Sequence, residues 1–167
     1  MADSRSPYVI HIDAVPKMDL GPPQDKLKGG ALFGRMVFGA DTSLMIAERS
    51  DGYHSVPHYH DAEQMNYVTK GSVWFFIDGK GFHGRVGDIV RVPRNAVHWI
   101  WVRDAEGCTL FETHTPPLTG DEKLQQAAVS LLAPHEDGTK VIRVRNLWAP
   151  VEGMDEIERR AFAEAAQ

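Results

Sequence analysis

A chain of 167 residues, 43% hydrophobic and 25% charged, suits one globular domain with a sizeable core, and no apolar run in it is long enough to cross a bilayer. The single cysteine, Cys108, excludes an internal disulfide and any cysteine-rich structural zinc site, so a bound metal has to be held by histidine. A formal charge of −5 without a cluster of Lys and Arg argues against nucleic acid and for a small-molecule partner.

The opening stretch, MADSRSPYVIHID, has no basic end followed by an apolar stretch and a small-residue cleavage site, which predicts a cytoplasmic protein. Within it, the apolar segment 8–12 predicts an edge strand able to add to a neighbouring copy's sheet. Residues 16–30 are rich in Pro, Gly and charge and read as an arm or loop, so 1–30 form an N-terminal arm. From 31 to 117 follow short apolar or alternating runs broken by glycine and proline. Strands are predicted over 32–38, 42–48, 63–70, 72–77, 81–85, 88–92, 98–102 and 109–114, the pattern of an all-β sandwich or barrel. Asp78-Gly79 between two strand-like runs predicts a hairpin. In HWIWV, strand parity sets His98 and Ile100 on one face and Trp99 and Trp101 on the other; with Trp74 and Phe76, these tryptophans read as packing or dimer contacts.

Beyond 117 the pattern changes. Thr119 is placed to cap a helix with Glu122 three residues later, and Leu124, Ala127, Ala128, Leu131 and Leu132 give it an apolar face before Pro134. A second helix is predicted from 155 to 166. Between them VIRVRNLWAP (141–150) echoes YVIHIDAVP (8–16), which two similar edge strands explain. Residues 118–167 thus read as a helical extension with one strand.

The chemistry concentrates in HYHDAEQ, residues 58–64. Residues two apart on a strand point the same way, so His58 and His60 can present two ring nitrogens to one point inside a barrel. Gln64 shares their parity, whereas Glu63 has the opposite one unless the chain bulges. Gly87, Pro93 and the RNA turn deliver His98 at the start of another strand as the third imidazole. Glu112 and His114 share a face of the last barrel strand and are candidates for a proton shuttle, or for a structural hydrogen bond at the rim. His54, Tyr59, Asn66 and Arg91 are weaker candidates; His11, His83 and His135 are expected in solvent.

Two stretches together resemble the cupin superfamily. GYHSVPHYHDAEQMNYVTKG (52–71) is similar to its first motif, Gly-x5-His-x-His-x3,4-Glu-x6-Gly, and GDIVRVPRNAVHWIWV (87–102) to its second, Gly-x5-Pro-x-Gly-x2-His-x3-Asn. Gln64 stands at the Glu position, Asn95 at the turn glycine and Val102 at the closing asparagine; Asn tolerates the left-handed turn. The resemblance implies an all-β double-stranded β-helix, the cupin jelly-roll barrel, with the N-terminal arm and C-terminal helices added. It implies one divalent metal ion (Fe, Mn, Ni, Zn or Cu) on His58, His60, Gln64 and His98, and a homodimer. Exchanging a carboxylate for an amide removes one negative charge from the ligand set, which leaves the ion more electrophilic.

The His/His/Gln/His set also looks like that of small cupins that linearise unsaturated uronates in pectin degradation. Those end the strand with Asp and Phe where Glu112 and His114 stand here, and carry an Arg that falls on Leu118. The expected activity is metal-dependent Lewis-acid enolate chemistry, of isomerase or lyase type, on a small keto, enol or hydroxy-acid compound. A non-haem Fe(II) dioxygenase cleaving a diketone or aromatic acid and a non-catalytic ligand-binding cupin are the alternatives.

Overall fold

The computed structural model describes residues 7–166. In chain order its elements are β1 (Met18–Asp19), β2 (Leu27–Gly29), β3 (Leu32–Phe38), β4 (Ser43–Arg49), β5 (His54–Ser55), β6 (His58–Tyr59), β7 (Glu63–Ile77), β8 (Lys80–Arg85), β9 (Ile89–Val92), β10 (His98–Trp101), β11 (Cys108–Thr115), α1 (Glu122–Ala127), β12 (Ala128–Ser130), β13 (Leu147–Trp148) and α2 (Met154–Ala165). Alternation governs the main strands. In β3, β4 and β11 every second side chain is buried and those between are not, as a strand with one face on a core requires.

The strands form one curled sheet along the path β1-β3-β4-β11-β7-β10-β5-β2, with β8 and β9 also on β7, β6 on β10, β13 on β6 and β12 on β3. Every pairing among the described strands is antiparallel except β12 on β3. The architecture is the all-β jelly roll that the alternation and the resemblance imply. β7 serves both halves of it: its first part pairs with β9 and β11, its second with β8 and β10. The pattern predicts two strands parted at Gly71, but the chain runs through as one. Gly71 has φ +67°, and a Cβ there would lie 2.0 Å from the Gly107 carbonyl oxygen, so the glycine permits a close crossing rather than a break. Asp78 and Gly79 both take positive φ and set Ile77 opposite Lys80, closing the predicted hairpin. Asn95 adopts the left-handed conformation, φ 61°, in the turn before β10.

Two apolar clusters flank β7 and β10. The larger fills the interior, with Met36, Met45, Val68, Phe75 and Leu110. The smaller joins Trp74, Phe76 and Trp99 to Met154 and Ala161 of α2, with Trp101 and Phe162 packed against it. The last five residues of β7 are therefore all buried, inward side chains by the interior and outward ones by α2. The four aromatics are packing residues, covered by the chain's own helix.

Four local expectations are corrected. Residues 8–12 form no strand; Tyr8 and Val9 are 72% and 69% exposed, and β1 and β12 already occupy the free side of β3. Within the 16–30 arm, short strands β1 and β2 pin the chain to the sheet. The helix after 117 lasts six residues, with Asp121 rather than Thr119 as its N-cap, because 128–130 leave it to pair with β3. Thr119 is buried and accepts a hydrogen bond from Arg143. In 141–150 only β13 is strand, so the echo with 8–16 has no structural counterpart. The terminal helix forms as predicted. No helix among the described residues is long and apolar enough to cross a membrane.

Candidate metal centre

His58 on β6 and His98 on β10 are direct register partners, and the amide of Asn95 donates to the His60 carbonyl at 2.9 Å, tying the two motif segments together. One ring nitrogen from each of His58, His60 and His98 lies within 4.8 Å of the other two. His60 and His98 are buried, His58 partly so.

The tautomers follow from the backbone. Nδ1 of His58 lies 3.1 Å from the Val56 carbonyl, that of His60 3.0 Å from Ala62, and that of His98 2.9 Å from Ala96. An imidazole that donates from Nδ1 keeps its lone pair on Nε2. Burial pushes the His58 pKa down to about 4 and those of His60 and His98 below the ordinary value, the imidazoles nearby adding to the effect for His58 and His98. All three are neutral near pH 7, each with a lone pair to offer.

Gln64 is the decisive neighbour. Its Nε2 donates to Asn66 Oδ1 at 2.7 Å and lies 3.4 Å from Glu112 Oε2, which fixes the amide with its oxygen toward His60. That oxygen sits 3.1 Å from His60 Nε2. With the His60 proton committed to Ala62, two lone pairs face each other in a buried site. A shared cation resolves that arrangement, and two donors at right angles about 2.1 Å from one ion are about 3 Å apart. The residues present fit a divalent metal with four neutral donors. Glu63, by contrast, turns outward to Arg91 at 2.5 Å.

These donors line a cavity of about 300 Å³ together with Glu112, His114 and Arg49. Glu112 and His114 do not bond to each other; Glu112 Oε1 lies 2.5 Å from Arg49 Nη2 at 4% side-chain exposure for both residues. Burial opposes the Arg49 charge, but Glu112 together with Tyr53 and Cys108 outweighs it and holds the guanidinium above its ordinary pKa. The His114 ring centroid is 5.3 Å from that of His60, and Nδ1 has no partner among the described residues. Burial, reinforced by His60, drives the His114 pKa well below the usual imidazole value.

Of the weaker candidates, Asn66 orients Gln64, and Arg91 serves Glu63. His54 belongs elsewhere: its Nε2 lies 2.7 Å from Glu158 on α2 and its ring stacks on Trp101. Tyr59 faces Leu147 on β13. His11 and His135 are exposed, but His83 is half-buried against Trp74, its ring centroid 4.8 Å away. Sequence reasoning missed Arg49 and also Trp148, whose ring lies 5.3 Å from that of His58. The signal for Arg49 was parity: Ser43, Met45, Ala47 and Arg49 form the buried face of β4.

The model of the cupin domain matches residues 47–114, which hold every one of these donors. Residues 47–114 thus carry a cupin domain. Solved structures share the cupin fold: a cupin-like protein from Thermotoga maritima is 16% identical, covering 86% of this chain and 92% of its own at a TM-score of 0.56. The polyketide cyclase RemF from Streptomyces resistomycificus is 17% identical, covering 72% of this cupin and 97% of its own chain at 0.54. A predicted oxalate decarboxylase, also from Thermotoga maritima, is 14% identical over 64% of this cupin and 97% of its own chain at 0.53. No curated protein sequence matches the chain.

Proposed function

We propose that this cupin is a mononuclear metal-dependent enzyme of isomerase or lyase type, acting on a small keto, enol or hydroxy-acid compound. One observation supports the reading above others: four neutral donors converge on a cavity wall that also carries Glu112 and His114. A divalent ion on His58, His60, Gln64 and His98 would supply Lewis acidity to two oxygens of the compound. Glu112 Oε2, close to the Gln64 amide, is the carboxylate oxygen placed to take a proton from the adjoining carbon. His114, neutral and with Nδ1 unbonded, is placed to pass it on. Val68, Leu110 and their neighbours close the interior behind them and keep bulk water out.

Elemental analysis of protein purified without added metal comes first, then turnover of unsaturated uronates, diketones, oxo acids and catechol-like acids under air and under argon. We expect one equivalent of metal and turnover that survives argon and is lost on chelation. Glu112→Gln then lowers kcat about 100-fold with metal content unchanged. The neutral donor set also suits Fe(II), and oxygen uptake that argon abolishes would select the dioxygenase reading. Metal bound with turnover absent throughout would select a ligand-binding role.

A further inference from the structure

Of the charged groups on the cavity wall that proton transfer does not use, Arg49 is the buried one. Arg49 is 6% exposed, its guanidinium carbon lies 5.2 Å from the Tyr53 ring centroid, and its Nη2 is paired with Glu112. Nε and Nη1 reach no acceptor among the described residues. Nη2 has two hydrogens, one on each edge of the fork. Whichever one Glu112 takes, a complete edge with two parallel N–H groups stays buried without an acceptor.

We propose that this edge is a carboxylate-recognition site, so that the occupant of the cavity is a small oxo or hydroxy acid whose carboxylate is held by Arg49. A buried guanidinium edge is matched in shape and charge by a carboxylate, which accepts two parallel bonds; a neutral carbonyl offers a poorer partner. Charge counting points the same way. Arg49 and Glu112 cancel, the four donors are neutral, and Asp121, Glu122 and Lys123 on the lining add one net negative charge, so a dication there leaves one positive charge that a monoanionic carboxylate offsets. Tyr53 packs against the guanidinium and the hydrocarbon of Met45 and Ile100 lines the same space, which leaves Arg49 few alternative positions. The inference deepens the reading above and rests on it for the reaction, though not for capture of the anion.

The test compares pyruvate, malonate and the uncharged pyruvamide against the whole protein, both zinc-loaded and metal-free. The readout is the Arg49 Nε–H cross-peak in a nitrogen–proton spectrum, assigned by its loss in Arg49→Lys. We expect the peak to move with pyruvate or malonate and to stay with pyruvamide, with tighter binding in the zinc-loaded form. Arg49→Lys weakens pyruvate binding at least 10-fold while bound zinc stays at the wild-type level. A peak indifferent to both acids, or equal affinity of the wild type for pyruvate and pyruvamide by calorimetry, overturns the proposal, and the calorimetric comparison decides even if the variant does not fold. Because the metal-free titration is read separately, a protein that binds no metal would sink the catalytic reading and leave the Arg49 answer standing.

Discussion

Gln64 is held in the folded chain by bonds that aim its amide oxygen at His60. Its amide nitrogen is spent on Asn66 and turned toward Glu112, so the oxygen has nowhere to point but at the His60 lone pair. Gln64→Glu replaces that donor with an acceptor beside the Glu112 carboxylate and the Asn66 carbonyl. The chelated variant then loses about 2 kcal/mol or more, which for a chain of this length is roughly 4–8 °C in Tm. The added carboxylate also offsets charge on a dication, so the rise in Tm on adding zinc exceeds that of the wild type. Thermal melts with chelator and with excess zinc check both; an unchanged zinc-dependent rise would take Gln64 out of the ligand set. Parity made the inward Gln64 and outward Glu63 legible from HYHDAEQ, because a period of two leaves no other register without a bulge. Arg49 was not legible in the same way. Parity sets it on the inner face of β4, but that a charged side chain stays inside at the strand's end follows only from its partner Glu112, 63 positions on, across the β4–β11 pairing.

At the scale of elements, α2 is fastened to the barrel by one buried carboxylate. Glu158 is 3% exposed, and its Oε1 takes bonds from His54 Nε2 at 2.7 Å and Trp99 Nε1 at 2.8 Å. Phe162 packs edge-on against Trp74 and Trp101 around it. Glu158→Ala strands two buried donors, and we expect it to cost about 2–4 kcal/mol in urea unfolding. Metal content stays at the wild-type value, since Trp99 and Trp101 face α2 while His98 and Ile100 of the same strand face the cavity. Loss of metal together with stability would show that the two faces of β10 are coupled. The alternation in HWIWV predicts this division directly. The short α1 is a different case: its apolar spacing is truly helical, but the edge of β3 competes for Ala128–Ser130 and wins, a contest that no window of local sequence contains.

Across the whole molecule, the curl of the sheet encloses ionisable groups brought from distant segments. The strand set was legible because one-sided burial writes itself as alternation; the wrapping of 118–150 was not, since short pairings such as β13 on β6 carry no periodic signal. Enclosure has a cost that depends on pH. Burial pushes the Cys108 thiol up to about 11 from an ordinary 9.0, against the pull of Arg49, and raises the Tyr53 phenol in the same direction. In the unfolded chain the thiol ionises near pH 9, while the folded chain keeps its proton. The unfolded state therefore binds fewer protons between about pH 9 and 11, and stability falls as pH rises through that window. For the thiol alone the full effect is about 2–3 kcal/mol, all of it still present below pH 9. Cys108→Ala is less stable below pH 9 because it leaves a cavity beside Leu110, and its stability declines less steeply from pH 8.5 to 11. Urea midpoints measured across that range separate the two effects, and parallel slopes for wild type and variant would mean that the thiol is not held protonated by the fold.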